Sequence, residues 1–297
     1  MSAPIESGLP PARRWSAIRS LAPIRLVVFF FALLAADVGA QLARIWAFRH
    51  VPPQDADWAA LGTALVLAMA LIGIYTALVR GMERRGAAEL APAPGGAAIG
   101  VLFGIVLFGA VLGLLLLTGA AQMHGLAANI DVIPVLAASI VAAVGEELAF
   151  RGGLFRVLED GCGTTVALAL SAALFGLVHA LNPGATVVST AAIAVEAGIL
   201  LGAAYALTRN LWLPIGLHFG WNFTEGGLFG VAVSGGTTAK GVFSVTLAGP
   251  RWLTGGSFGP EASVVAVAVC FAAALVLIAV AVRKGRWRPL RWRMVLE

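Results

Sequence analysis

The stretch Val144-Gly-Glu-Glu-Leu-Ala-Phe-Arg-Gly-Gly-Leu-Phe155 places two glutamates and an arginine within a long apolar run. A charged side chain in the middle of a lipid bilayer costs about 2.5–3.5 kcal/mol, so such groups are usually paired or functional. On a helix, Glu147 and Arg151 lie four residues apart on one face and can form an ion pair. Glu146 is rotated by roughly 100° from Glu147, which leaves its carboxyl group free for another role. For this stretch alone, a solvated charge cluster at a helix end is the alternative interpretation.

The composition indicates an integral membrane protein. Hydrophobic residues make up 60% of the chain and charged residues 12%, whereas a typical soluble domain carries about 25% charged residues. We therefore expect an all-α fold, a polytopic membrane helical bundle with about eight transmembrane helices of roughly 20 residues each. The predicted segments are 26–48, 58–79, 97–118, 132–158, 165–181, 185–207, 211–233 and 262–282.

The distribution of Lys and Arg predicts the orientation in the membrane. Of the 20 basic residues, all but Arg44, Arg49, Lys240 and Arg251 fall on one side of the predicted segments. Because cytoplasmic loops carry the excess of Lys and Arg, both termini are predicted to be cytoplasmic. The basic tail 283–293, with its interleaved tryptophans, is then an anchor on anionic lipid. The lipid bilayer is thus an expected partner, and nucleic acid is not.

Residues 1–96 are predicted to hold a short cytoplasmic leader, up to Ser20, and an N-terminal transmembrane helix pair. Residues 97–297 are predicted to form a six-helix membrane domain. Its glycine-rich segment 234–260 is expected to be an external interfacial loop, because it carries Trp252 and Phe258. The two cysteines cannot build a disulfide framework or a cysteine-based metal site and are expected to be bystanders.

Helix geometry predicts that four polar side chains meet at one depth. Glu146 lies as many residues before the glycine turn at 160–164 as His179 lies after it. An antiparallel helical hairpin therefore places both side chains at the same depth, roughly 15 Å inside the membrane. His218 lies roughly 13 Å along the seventh segment, and Asn222 follows one turn deeper on the same face. Each residue alone could be a packing residue or an inter-helix clamp. Their shared depth favours a functional site.

Glu196 in the sixth segment is a further intramembrane acid. Two interpretations stay open for it, a side chain that lines a cavity and a structural partner. Gly198 and Gly202 beside it form a G-x-x-x-G pattern, which predicts close helix packing.

Three motifs together resemble the CPBP family, the type II CAAX prenyl endopeptidases and their bacterial Abi relatives. They are Glu146-Glu147-x-x-x-Arg151, Phe175-x-x-x-His179 and His218-x-x-x-Asn222, on successive membrane segments, and the resemblance covers residues 132–223. It implies an intramembrane endopeptidase of the cell membrane, for a bacterial protein the inner membrane, with a cavity that opens toward the cytosol. The implied partner is a membrane-associated protein or peptide substrate.

The resemblance also implies roles for single residues. Glu146 and His179 match the family's water-activating pair, and His218 and Asn222 match its oxyanion-binding positions. Glu147 and Arg151 match a supporting pair. Peptide hydrolysis needs such a set, namely a base for water, a proton for the leaving amine and donors for the oxyanion.

Other mechanisms and functions stay open. In a metalloprotease, Glu146, His179 and His218 would be the zinc ligands, since these residue types bind zinc. The sequence contains no H-E-x-x-H and asparagine is a poor zinc ligand, so a metal-free glutamate mechanism without a cofactor is favoured. A proton-coupled transporter is disfavoured because no inverted repeat is visible. A non-catalytic membrane immunity or scaffold protein is the remaining alternative.

Overall fold

The computed structural model describes residues 22–290. The predicted leader 1–20 and positions 291–293 of the basic tail lie outside the described residues. The eight main helices within this range are α1 (Ala22–His50), α2 (Ala56–Glu83), α3 (Pro94–Leu117), α4 (Val132–Cys162), α5 (Thr164–His179), α6 (Val187–Thr208), α7 (Trp212–Asn222, continued by Phe223–Leu228) and α8 (Val264–Arg283).

The predicted polytopic helical bundle is confirmed, and each predicted segment coincides with one of these helices. Among residues 22–290, six helices are long and apolar enough to cross a membrane, namely α1, α2, α3, α4, α6 and α8. The helix α5 has only 16 residues, and α7 consists of 11 residues followed by a six-residue continuation. The number of crossings and the cytoplasmic position of the termini therefore stay predictions.

The helix α4 lies at the centre of the bundle. One apolar core joins it to α1, α2, α5 and α6, with Phe150 on α4 packed edge-on against both Phe30 and Phe175. The first two helices thus pack directly on the helix that carries Glu146 and Glu147. The division of the chain at residue 96 stays a prediction.

The helix α7 is held by close backbone contact with α3. A Cβ atom added at Gly220 would lie 2.3 Å from the carbonyl oxygen of Val101, and one at Gly104 would lie 2.3 Å from that of Leu217. Real Cβ atoms do not approach backbone oxygens so closely, so glycine lets the two backbones touch. This contact fixes the helix that carries His218 and Asn222.

The predicted turn between α4 and α5 is present at Gly163, which has a φ of 82°. A Cβ atom there would lie 2.3 Å from the carbonyl oxygen of Pro289, so the position requires glycine on two counts. The predicted close packing at Gly198 and Gly202 is also present, against Ala172 and Leu168 of α5.

Ion pairs gather at one end of the bundle, where α1 begins and α2 and α4 end. They join Glu83 to Arg25, Arg85 and Arg156, Glu89 to Arg85, Glu159 to Arg209, and Asp160 to Arg288. We call these residues the ion-pair belt. It contains many of the basic residues that predict the cytoplasmic side.

A small β-ribbon lies at the opposite end. β1 (Ala121–Leu126) pairs antiparallel with β2 (Phe243–Leu247), with Ala121 opposite Leu247. The expectation of an interfacial loop at 234–260 was therefore incomplete. Trp252 is exposed as expected, but Phe258 is buried in the core and fastens the segment to the bundle.

Candidate active site

Glu146 and His179 face each other between α4 and α5. The His179 Nε2 and Glu146 Oε2 atoms are 3.8 Å apart, which is too long for a direct hydrogen bond and short enough for one water molecule to contact both groups. The Nδ1 atom of His179 lies 2.8 Å from the carbonyl oxygen of Phe175. Since a carbonyl only accepts, Nδ1 carries the proton, and a neutral His179 presents an unprotonated Nε2 to Glu146.

Glu147 has two partners. Its Oε1 atom accepts a hydrogen bond of 2.8 Å from Arg151, as the i,i+4 spacing predicts, and lies 3.1 Å from Nδ1 of His218. Because a carboxylate accepts, the His218 Nδ1 is the donor and Nε2 is the ring nitrogen left for other contacts. Glu147 is fully buried. It therefore orients a candidate site residue as well as pairing with Arg151.

Arg151 ties three helices together from a fully buried position. Its Nη2 atom donates to the carbonyl oxygens of Ala197 and Gly198 on α6, at 3.2 Å each. The guanidinium carbon lies 4.5 Å from the centre of the Phe175 ring on α5, within the range of a cation–π contact. The same Phe175 ring lies 4.7 Å from that of His179.

Widened π-helical turns border the site on three helices. They span Leu148–Phe155 directly after Glu147, Ala194–Ile199 around Glu196, and Phe223–Leu228 directly after Asn222. A π-helical turn inserts an extra residue into the helix and occurs frequently at functional sites. Periodicity at 3.6 residues per turn does not reveal such insertions.

His179, His218 and Asn222 all line one small cavity of about 20 Å³ between α5, α6 and α7. A cavity of this size holds about one water molecule. Glu196 lines the same cavity, as one of its two predicted interpretations requires. Glu146 stands beside His179, and its Oε2 atom is buried without a hydrogen-bond partner within residues 22–290.

Sequence reasoning missed two further acids near the site. Glu261, just before α8, also lines the cavity, and Glu225 is fully buried in the last turns of α7. Neither belongs to the three motifs. The available signal was their charge within or beside apolar segments, which is the signal that singled out Glu196.

A wider cavity of about 530 Å³ reaches Asn222 from the side of the β-ribbon. Arg44, Asp57 and Asp131 lie along it, at the ends of α1, α2 and α4 that are farthest from the ion-pair belt. If the belt marks the cytoplasm, as the Lys and Arg distribution predicts, this cavity opens away from the cytosol. That differs from the cytosolic opening that the resemblance implies.

The described residues do not assemble a metal site. Within residues 22–290, no group of three or more His, Cys, Asp or Glu side chains is arranged to hold a metal ion. The three alternative zinc ligands Glu146, His179 and His218 are therefore not gathered around one point.

Comparison with known families agrees with the motifs. Residues 128–224 match the family model described as type II CAAX prenyl endopeptidase Rce1-like. No curated protein and no solved structure matches the chain. The matched segment begins just before α4, ends within the last turns of α7 and contains all six candidate residues. Residues 128–224, about a third of the chain, thus match the family that the sequence motifs predicted, the type II CAAX prenyl endopeptidases.

Proposed function

We propose that this protein hydrolyses peptide bonds of a membrane-associated protein or peptide, using water that Glu146 and His179 activate. The observation that carries the proposal is the 3.8 Å approach of the His179 Nε2 atom to the Glu146 carboxyl group inside the bundle. A general base must reach its proton directly or through one water molecule, and this separation allows that.

In the proposed reaction, the Glu146 carboxylate takes a proton from water while His179 Nε2 holds the same water through a second hydrogen bond. The water oxygen attacks the scissile carbonyl carbon. The resulting oxyanion accepts hydrogen bonds from the Asn222 amide and from Nε2–H of a His218 ring that is protonated on both nitrogens. Glu146 then returns its proton to the leaving nitrogen as the carbon–nitrogen bond breaks. No metal ion or cofactor takes part.

The supporting pair holds the site in shape. Glu147 fixes the His218 ring through Nδ1, and Arg151 fixes Glu147 while bonding to α6. The side chains that act on the substrate must be held in position in this way, because a misplacement of about 1 Å lowers the reaction rate severely. We assign Glu147 and Arg151 to positioning and not to the reaction itself.

The experiment is cleavage of a peptide library by the purified protein, with Glu146→Gln beside the wild type. The glutamine keeps shape and hydrogen bonding but removes the base, so hydrolysis should fall to background. Asp160→Asn, which changes an exposed acid of the ion-pair belt, is the matched control and should cleave normally. Equal cleavage by Glu146→Gln would contradict the proposal, and an inactive wild type would favour the non-catalytic immunity or scaffold function.

Two additions to the same preparation test the finer parts of the proposal. EDTA should leave cleavage unchanged, whereas a zinc mechanism would lose activity with EDTA and regain it with Zn²⁺. We also propose a bacterial inner-membrane location with both termini in the cytoplasm. A reporter fused after Glu297 that is active only in the periplasm would contradict that orientation.

A further inference from the structure

The wide cavity that reaches Asn222 follows one face of α4 toward Glu146. Val135, Ser139 and Ala142 line this cavity of about 530 Å³. At 100° per residue, these three side chains and Glu146 fall within about 60° of one another around the helix axis. Glu146 therefore stands at the inner end of the face that the cavity follows. The volume lies within the range of ligand-binding pockets, about 300–1,000 Å³.

The same cavity continues outward to the β-ribbon. Thr238 and Ala239, which precede β2, line both this cavity and a second one of about 560 Å³. The second cavity runs along the ribbon, where His124 of β1 and Phe243 of β2 also line it. Because they share two lining residues, the two cavities adjoin. Together they form a route from the ribbon to Asn222, which we call the ribbon passage.

Arg44 of α1 lines the ribbon passage and lacks a structural partner. Its Nε atom is buried without a hydrogen-bond partner, and within residues 22–290 the side chain forms no ion pair. Asp57 and Asp131 line the same cavity and carry the opposite charge. Both lie nearer the mouth, Asp57 in the first turn of α2 and Asp131 directly before α4. The described fold therefore leaves this guanidinium group available to a ligand.

The level of Arg44 along the passage follows from the packing of α1 on α4. A Cβ atom at Gly145 would collide with the carboxyl group of Asp37, so Asp37 lies level with Gly145 and with its neighbour Glu146. Arg44 is about two helical turns beyond Asp37, roughly 10 Å farther toward the β-ribbon. An extended peptide advances about 3.3 Å per residue. About three residues of such a peptide would therefore span the distance from Glu146 to Arg44.

We propose that the ribbon passage admits a peptide substrate in an extended conformation, and that Arg44 binds an acidic side chain of this peptide about three residues from the scissile bond. This inference rests on the proposed function. A guanidinium group pairs with a carboxylate through two parallel hydrogen bonds, which fix the position and the orientation of the bound group. Because the passage continues outward past Arg44, the carboxylate belongs to an internal residue of the peptide and not to its end. Arg44 thus determines which peptides are bound.

The two acids at the mouth narrow this selectivity. Like charges repel each other, so Asp57 and Asp131 disfavour an acidic residue in the outer part of the passage. A favourable contact is available to a carboxylate only where it reaches Arg44. We therefore expect a preference for one acidic residue at one position of the peptide, and not for acidic peptides in general.

The test is affinity selection of a random peptide library on the purified full-length protein, with the Glu146→Gln substitution present throughout so that bound peptides are not cleaved. The selected peptides should carry Asp or Glu at one position. Exchange of that acid for its amide should weaken binding by about 10-fold to 100-fold, as expected for hydrogen bonds to a charged group. After the further substitution Arg44→Gln, the acidic peptide and its amide counterpart should bind equally.

Three controls accompany this measurement. Arg49→Gln changes an exposed arginine of the same helix that does not line the passage, and it should keep the preference for the acid. Equal binding of the amide peptide with and without Arg44→Gln shows that the passage is still folded. Arg44→Lys keeps the charge and should retain part of the preference.

Two results overturn the binding of an acidic side chain by Arg44. One is a selection that shows no preference for an acid, or a preference that survives Arg44→Gln. The other is binding that amidation of the peptide C-terminus weakens and exchange of the internal acid does not.

A second measurement tests the passage itself. In protein that carries Cys162→Ser, the substitution Thr238→Cys places a thiol where the two cavities meet, and a bulky maleimide coupled to it should weaken peptide binding at least about 10-fold. Ser257→Cys is the matched control, because Ser257 is exposed in the same segment between α7 and α8 and lines neither cavity. Its modification should leave binding unchanged. Unchanged binding after modification of the Thr238→Cys variant overturns the proposed route.

This inference and the proposed function can fail separately. If Glu146→Gln abolishes cleavage while the selection shows no preference for an acid, the proposed function stands and this inference fails. If the wild type cleaves no peptide but binds acidic peptides through Arg44, the proposed function fails and the binding of acidic peptides in the ribbon passage stands.

Discussion

The ion-pair belt and the buried site use the same residue types in opposite ways. In the belt, Glu83 binds Arg156 through two hydrogen bonds of 2.8 and 2.9 Å and Arg85 through one of 2.7 Å. Around the site, Glu146, Glu196 and Glu225 keep buried oxygens without a partner in the described chain. Every carboxyl group of the belt is paired with an arginine, and the interior leaves several acids without a partner.

This difference distinguishes carboxyl groups that hold the fold together from carboxyl groups that take part in a reaction. A buried polar atom without a partner costs about 1–3 kcal/mol, and such atoms need a reason to persist. In the belt a carboxylate serves to join helix ends. In the interior, an acid that must exchange protons with water or substrate cannot be permanently occupied by an arginine. Glu147 is intermediate, because its Oε1 atom is paired with Arg151 and His218 while its Oε2 atom is buried without a partner in the described chain.

The largest expected effect on stability comes from Arg151. Replacing it with alanine leaves the buried Glu147 charge without its cation, and breaking such a pair costs about 3–5 kcal/mol. Arg156→Ala is the belt comparison, and it should cost less, since Glu83 keeps Arg85 as a partner. Thermal or denaturant unfolding in detergent measures both. If Arg151→Ala keeps full stability and loses only its activity, Arg151 belongs to the active site and is not a structural residue.

The next effect concerns rate and not stability. Asn222→Ala removes one proposed oxyanion donor, which is typically worth about 100–1,000-fold in kcat. The fold should persist, because the structure gives the Asn222 side chain no hydrogen bond within residues 22–290. Asn210→Ala is the matched change in the region of the belt, where the side chain donates to the carbonyl oxygen of Ala91 at 2.9 Å. It should lose stability and keep its rate, so an equal loss of rate in both variants would remove Asn222 from the site.

Much of the architecture follows from local pattern. Apolar length locates the helices, the i,i+4 spacing identifies the Glu147–Arg151 pair, and the rise per residue brings Glu146 toward His179 across the turn at Gly163. These features depend on residues that are near in sequence or on one helical hairpin. Regular helix geometry is sufficient to derive them.

The rest depends on contacts between distant residues. Arg156 and Glu83 are 73 positions apart, and His218 and Glu147 are 71 apart. The two strands of the β-ribbon are separated by even more chain, and five or six residues carry too short an alternation to identify them. Glu225 and Glu261 were missed because no motif includes them. A single sequence shows which residues are charged, but it does not show with which distant residues they pair.

The smallest expected effect belongs to Glu89, in the connection between α2 and α3. Glu89 is buried, which opposes its charge, yet hydrogen bonds from Arg85 and Tyr75 lower the pKa of its carboxyl group below the usual value of 4.5. A lowered pKa in the folded state means that the charged form stabilises the fold above the unfolded pKa. That contribution disappears as the pH falls through the folded value.

Glu89→Gln should therefore cost about 1.5–3 kcal/mol near neutral pH, the usual contribution of hydrogen bonds to a charged group. Unfolding of both proteins from about pH 7 to about pH 3 measures the difference in stability, which should stay constant down to the usual pKa range of glutamate and shrink below it.

Asp160→Asn is the control within the belt. Its carboxyl group is half exposed and paired with Arg288, so its loss should cost at most about 1 kcal/mol. A Glu89→Gln difference that grows toward acidic pH would show that this carboxyl group is neutral in the fold. Glu89 would then resemble the buried acids of the interior. A missing partner would no longer distinguish an acid that takes part in the reaction from an acid that holds the fold together.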